Sequence, residues 1–182
     1  SFMESTREVL NDLKIRASYG VNGTRPNALY SHQELYGYGY NYMFQPGSAP
    51  TTIANPDLAW EKNHNFDIGI DARLFDRVSL TLDFYNRNTK DLLQSVPTSL
   101  VVGFTSYLKN VGSMNNRGVE LDVSVDVFKN TPAKWTTGLA LSHNRNKITK
   151  LNDGKDIIDG SKILSEGESY YTWWSRQWAG VD

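Results

Sequence analysis

Three acidic residues, Glu120, Asp122 and Asp126, fall at even positions of one short run. In an extended strand such residues share a face, with neighbours about 6.5–7 Å apart. That spacing permits paired acid/base chemistry or a hard-cation site. A solvated polar wall uses the same pattern and accounts for it without any ligand. The three histidines, His32, His64 and His143, lie in different stretches and lack a ligand spacing such as His-x-x-x-His. No Gly-x-Ser-x-Gly turn and no phosphate-cradling glycine loop occurs. The expectation is therefore a protein that is not an enzyme, with no metal and no cofactor. One local candidate for binding remains, the run Tyr36-Gly-Tyr-Gly-Tyr-Asn-Tyr-Met-Phe44. On an exposed loop, the rings of Tyr36, Tyr38, Tyr40 and Tyr42 could stack on sugar faces or pack on a partner. The competing reading is that they pack internally.

The elements that must position these residues alternate with period 2. Phe66, Ile68, Ile70, Ala72 and Leu74 are interleaved with Asp67, Gly69, Asp71 and Arg73. After a tight turn, Val78, Leu80, Leu82 and Phe84 are interleaved with Ser79, Thr81, Asp83 and Tyr85. This pattern predicts a β-hairpin with one apolar and one polar face. The same alternation predicts strands near 13–22, 60–74, 78–93, 116–128 and 133–148, with an aromatic-rich sixth at 169–181. Stretches 23–57, 94–115 and 149–168, rich in Gly, Pro, Asn and Ser, read as long loops. Long and short connections thus alternate along an antiparallel meander.

The formal net charge is −1, which argues against nucleic acid as a partner. There is no cysteine, so neither a disulfide scaffold nor a thiolate metal site is available. No run of about 18 apolar residues exists, so no transmembrane helix is expected; alternating barrel strands escape that criterion. The first dozen residues lack a signal-peptide pattern, which leaves a cytosolic protein or an internal piece of a longer exported chain. Apolar runs of about ten residues match the span of a tilted barrel strand. Trp60, Phe75, Tyr85, Trp135, Trp173 and Trp174 lie near band ends, where amphipathic rings favour a membrane boundary. A membrane barrel with a wet interior fits these features, and a soluble β-sandwich binding carbohydrate or protein is the alternative.

Several blocks carry a resemblance. Leu-Lys-Ile-Arg-Ala-Ser-Tyr-Gly (Leu13 to Gly20) and Asn-Pro-Asp-Leu-Ala-Trp-Glu-Lys (Asn55 to Lys62) come first. Phe-Tyr-Asn-Arg-Asn-Thr-Lys-Asp-Leu-Leu (Phe84 to Leu93) and Asn-Val-Gly-Ser-Met-Asn-Asn-Arg-Gly-Val-Glu (Asn110 to Glu120) follow. Ser142 to Leu151, Glu166 to Ser169 and Ala179 to Asp182 complete the set. In this order they resemble the SusC/RagA family of TonB-dependent outer-membrane transporters. The resemblance implies part of a transmembrane β-barrel, about six strands of roughly 22. No plug domain or TonB-contacting segment is visible. It also implies import of a glycan or oligopeptide together with a SusD-like surface lipoprotein, powered through TonB. The implied partners are the rest of the barrel with its plug and the outer-membrane lipid. On this reading Phe66, Ile68, Ile70, Val78, Leu80 and Leu82 face lipid, and Asp67, Asp71, Arg73 and Asp83 face the lumen. Residues 23–57, 94–115 and 149–168 would be extracellular loops, and the Asp76-Arg77 turn periplasmic.

Overall fold

The computed structural model describes residues 8–27, 29–128 and 131–180. Among these, ten strands form and no α-helix. They are β1 (Leu10–Thr24), β2 (Tyr36–Tyr42), β3 (Gln45–Pro50), β4 (Glu61–Leu74), β5 (Val78–Pro97), β6 (Ser106–Asp126), β7 (Thr136–Lys150), β8 (Ile157–Asp159), β9 (Lys162–Leu164) and β10 (Thr172–Trp173). The main sheet is antiparallel and runs in the order β1-β4-β5-β6-β7. β2 and β3 form a separate hairpin, and β10-β9-β8 a small third sheet.

The chain divides into two compact units. The first comprises residues up to Val21, His64–Asn88 and Asn115–Asn146. It holds the turn-side segments of the five long strands and both tight connections. Backbone bonds from Phe75 to Val9 (2.9 Å), Asp126 to Arg77 (2.9 Å) and Val127 to Trp135 (2.8 Å) tie adjacent strand ends together here. Phe75 and Asp76 both adopt positive φ, 54° and 50°, as the β4–β5 turn reverses the chain.

This unit has no buried apolar residue among those described; its stripe stays open instead. Leu13, Ile15, Tyr19, Phe66, Ile68, Ile70, Leu82, Phe84, Val119, Leu139 and Leu141 are all exposed. Among the described residues the unit consists of strand segments and turns only, so none of them forms a second sheet over the apolar side. A soluble sandwich would bury that side. Aromatic side chains sit at the turn end of the stripe: Phe128 and Trp135 pack with ring centroids 5.8 Å apart.

The second unit comprises Asn22–Asn63, Thr89–Met114 and Lys147 onward. Val96, Ile148, Leu151 and Ile163, the buried apolar residues among those described, all lie in it. Ile148 is clamped by backbone bonds with Glu168 and Gly167, both 2.8 Å. Glu166 Oε1 accepts from the Leu151 amide at 2.8 Å.

Several expected boundaries differ from the observed ones. The stretch 23–57 contains the β2–β3 hairpin, whose base is fixed when Thr51 and Thr52 bond Leu35 and Gln33. The stretch 94–115 shrinks to a short connection, because β5 continues to Pro97 and β6 begins at Ser106. Backbone pairing continues past the apolar stripe, so side-chain alternation understates strand length. Leu100–Val102 then form a 3-10 turn ended by Gly103 at φ 86°. The stretch 149–168 folds into β8 and β9 around a turn at Gly160, φ 58°. The expected sixth strand at 169–181 reduces to β10, which pairs with β9 and not with the main sheet. Thr172 closes a turn on the Ser169 carbonyl through its amide (3.2 Å) and its hydroxyl (2.9 Å), which interrupts any longer strand.

Candidate functional site

The polar face of the first unit is built around Arg16 on β1. Its guanidinium grips Asp71 on β4 with two bonds, Nε to Oδ2 at 2.8 Å and Nη2 to Oδ1 at 3.0 Å. Nη2 also reaches Asp83 Oδ1 on β5 at 2.9 Å, across the intervening strand. Gly69 on β4 makes that crossing possible. A Cβ there would meet Arg16 Nη2 at 2.7 Å and Cζ at 2.8 Å, and would overlap the Asp83 carboxylate. The fork geometry of arginine suits two carboxylates at once, where a lysine would supply a single point charge.

The same face continues across β5, β6 and β7. Asp83, Glu120 and Asp122 line an open depression of about 250 Å³ with Thr81 and Ser142. Arg87 stands over the Tyr85 ring at 4.9 Å and lies 3.9 Å from Asp67. The Tyr85 hydroxyl donates to Asn144 at 3.2 Å. Asp126, the third member of the acidic run, is separate; it accepts from the Thr136 hydroxyl at 2.8 Å beside the turn. Among the described residues no three His, Asp or Glu are placed to hold a metal ion. His64 instead bonds Tyr19, Nδ1 to hydroxyl, at 3.0 Å. Asp71 and Asp83 are thus paired with Arg16, while Glu120 and Asp122 line the open depression.

In the second unit, Asn110 on β6 is the main tie between a loop and the sheet. Its amide group donates to the Ala59 and Asp91 carbonyls, both 2.8 Å, and its carbonyl accepts from the Ala59 amide at 2.7 Å. Asn55 donates to the Leu108 carbonyl at 2.8 Å, and Glu61 accepts from the Leu93 amide at 2.9 Å. Asp91 breaks the alternation of β5 with φ 57°, and its carboxylate meets Lys62 at 3.2 Å. The blocks Asn55 to Lys62 and Asn110 to Glu120 thus supply the polar groups that dock this loop.

The tyrosine candidates sit on β2. Tyr38, Tyr42, Met43 and Phe44 are almost fully exposed, and Tyr36 and Tyr40 about half. They do not form one ladder. Gly39, at φ 94°, is bulged out, so that Tyr38 pairs with Ser48 and Tyr40 with Gly47. Consecutive partners lie on opposite faces. Tyr36 and Tyr38 therefore occupy one face and Tyr40 and Tyr42 the other. The Tyr40 ring lies against Gly37, where a Cβ would come within 3.1 Å of it. The hairpin turns at Met43 and Phe44, with φ 47° and 64°. Two-residue turns with positive φ favour Asn and Gly, and bulky residues are costly there.

Gln94 was not a candidate from sequence. It is 6 % exposed, and neither its side-chain oxygen nor its nitrogen has a hydrogen-bond partner. It borders an open cavity of about 370 Å³ beneath Ile157, Ile158, Leu164 and Tyr170. A glutamine inside an alternating strand gives no sequence signal, because its burial comes from a distant loop.

Comparison with known proteins follows this geometry. The family model for the TonB-dependent receptor-like β-barrel matches residues 7–180. TonB-dependent receptor P39 of Formosa agariphila is 35% identical over 170 residues, which are 93% of this chain and 16% of that protein. TonB-dependent receptor SusC of Bacteroides thetaiotaomicron is 30% identical over 174 residues, 88% of this chain and 17% of SusC. The solved RagAB peptide importer in its closed-closed state superposes with TM-score 0.84 at 34% identity, over 96% of this chain and 20% of that one. The chain therefore spans about a fifth or less of the proteins it matches. The family is one of receptors and transporters, not enzymes. A meander with one open apolar face and one charged face, matched along almost its whole length by the family model, belongs to the TonB-dependent receptor β-barrel family of SusC and RagA type.

Proposed function

We propose that this chain is a section of the wall of an outer-membrane importer for a large nutrient. The observation that carries the reading is the inverted sheet of the first unit. Its apolar side chains are exposed, while its charged side chains engage one another. Water would reject that arrangement, whereas lipid outside and water inside a closed barrel favour it. β5 and β6, at 20 and 21 residues, are about twice the length needed to cross the hydrocarbon. On this reading the excess length extends above the membrane, and the long connections face the exterior.

The Arg16–Asp71–Asp83 bridge and the Glu120–Asp122 depression would line the lumen. They contribute polarity and rigidity, not chemistry. Import would be driven through TonB, with a plug and the remaining strands completing the barrel. A SusD-like lipoprotein would close over the loops. The solved RagAB peptide importer supports an oligopeptide as cargo, with a glycan as the alternative. The two-faced tyrosine hairpin is the segment we assign to ligand contact. Stacking rings on both sides suits a wedge between cargo and a neighbouring wall better than a flat platform.

The test uses the full-length transporter in its native host. Y36A/Y38A and Y40A/Y42A empty one face each, and membrane fractionation and uptake of candidate oligosaccharides and oligopeptides are measured for both. The reading expects outer-membrane insertion in both variants and weaker uptake in at least one. Normal uptake in both variants, and in the combined Y36A/Y38A/Y40A/Y42A, removes the hairpin from the site. Recovery of the wild type in the soluble fraction overturns the membrane assignment itself.

A further inference from the structure

A basic pair stands on the apolar side of the first unit, just where the stripe ends. Val127 and Trp135 are hydrogen-bonded across β6 and β7 at 2.8 Å, and Asn116 and Asn146 at 2.7 Å. Both pairs have the same offset, so the register between them is unbroken. It sets Val119 opposite His143 and Arg117 opposite Arg145. Val119 is an exposed member of the apolar stripe, so Arg117, two residues on, lies on that same face. On the other flank, the Asp126–Arg77 backbone bond sets Arg117 opposite Asn86, and Tyr85 lies against Gly118 in the same register. Asn115 donates to both Asn86 and Asn88 at 2.6 Å.

Two like charges directly opposite on neighbouring strands destabilise a sheet unless something neutralises them. No carboxylate does so: neither arginine has an ion-pair or hydrogen-bond partner among the described residues. Along this face of the first unit, the strand segments place no Asp or Glu among the described residues. Every acidic side chain of those strands belongs to the opposite, polar face. The nearest positions on that face are instead Val119, Phe84 and His143, then the amides of Asn86, Asn88 and Asn115. The sequence of surfaces is apolar, aromatic, cationic and amide, in that order along the strands.

We infer that Arg117 and Arg145 bind the phosphate of an anionic lipid headgroup at the rim of the apolar band. Two guanidinium groups offer paired N–H forks that match phosphate oxygens, and their aliphatic stems can lie along apolar side chains. The phosphate offsets the cross-strand repulsion, and the acyl chains cover Val119, Leu121, Leu139 and Leu141. Lipid would thus be an integral part of this wall. The inference rests on the lipid-facing assignment made above.

The experiment uses the full-length transporter in detergent, titrated with phosphatidylglycerol or with phosphatidylcholine of the same acyl chains. Retained lipid is counted by native mass spectrometry. Wild type should retain phosphatidylglycerol in preference to phosphatidylcholine, and R117Q/R145Q should lose most of that preference, by about fivefold or more. K14Q, which removes a charge from the polar face, should keep it. Inorganic phosphate at millimolar concentration should not displace the lipid; displacement would identify a free-anion site and overturn the headgroup assignment. Equal phosphatidylglycerol retention in wild type and R117Q/R145Q also overturns it. A nitroxide at Leu121 separates the two levels of argument. If oxygen collisions show Leu121 in lipid while the arginine variant binds normally, only this inference fails. If Leu121 is in water, the lipid-facing assignment fails first.

Discussion

Val123→Arg is the substitution to which the account commits most. Val123 is the midpoint of the alternating apolar run at the turn end of β6 and just beyond it: Val119, Leu121, Val123, Val125 and Val127. At about 3.3 Å per residue and a tilt of about 40°, the distance from Val119 to Val127 spans roughly 20 Å of membrane height. Val123 then lies roughly 10 Å from either end, too deep for an arginine stem to reach water without cost. The expected penalty is about 2–4 kcal/mol there, falling to about 0–1 kcal/mol for Val119→Arg at the rim. The difference, about 1–4 kcal/mol, corresponds to roughly fivefold or more in the unfolding equilibrium. Asp122→Arg, one residue away on the wetted face, should stay within about 0.5 kcal/mol of wild type. The assay is reversible urea unfolding of the full-length protein in phospholipid vesicles, followed by tryptophan fluorescence. Equal destabilisation by Val123→Arg and Asp122→Arg would refute the assignment of faces, and the reverse order would invert it.

Three further outcomes follow from the geometry. Gly69→Val should remove the coupling between Arg16 and Asp83, because a Cβ occupies the space the guanidinium crosses; a double-mutant cycle with R16Q and D83N should show coupling in wild type and none in the G69V background. Asn110→Ala should cost about 1–3 kcal/mol, since it strands the Ala59 amide and the Ala59 and Asp91 carbonyls; limited proteolysis should cut sooner between Asn55 and Trp60. Replacing Met43 and Phe44 by Asn and Gly should relieve about 1–2 kcal/mol of left-handed strain per residue. Hydrogen exchange across Tyr36–Pro50 should slow, and uptake should fall if the exposed apolar tip is what contacts cargo.

The sheet and its two faces were legible because each main strand alternates apolar and polar side chains with period 2. Phe66, Ile68 and Ile70 against Asp67 and Asp71 can only be an extended segment at a boundary. Strand lengths were less legible. Beyond Phe84 and Val119 both faces turn polar, and the backbone ladder that continues there leaves no side-chain period. In the run Tyr36 to Phe44 the aromatics alternate throughout, and nothing in that spacing marks the bulge at Gly39 that moves Tyr40 and Tyr42 to the other face. The aromatic run after Ser169 looked like a strand, but Thr172 diverts it into a turn and a short pairing with β9. Gln94 and Asn110 had no local signal at all. Their roles come from residues far along the chain, 19 and 51 positions away for Asn110 and 63 to 76 for Gln94, a distance at which one sequence carries no register. The Arg117–Arg145 juxtaposition likewise emerges only once β6 and β7 are aligned.

Cysteine-scanning spin labelling of β6 tests the central claim most directly. This chain has no cysteine of its own, so once any cysteine elsewhere in the full-length transporter is replaced, labels at successive positions from Val119 to Asp126 report one site at a time. In the full-length transporter in vesicles, collision with oxygen should peak at Val119, Leu121, Val123 and Val125. Collision with a water-soluble nickel complex should peak at Glu120, Asp122, Ser124 and Asp126. The opposite phase, or accessibility without period 2, would contradict a wall with lipid on its apolar face.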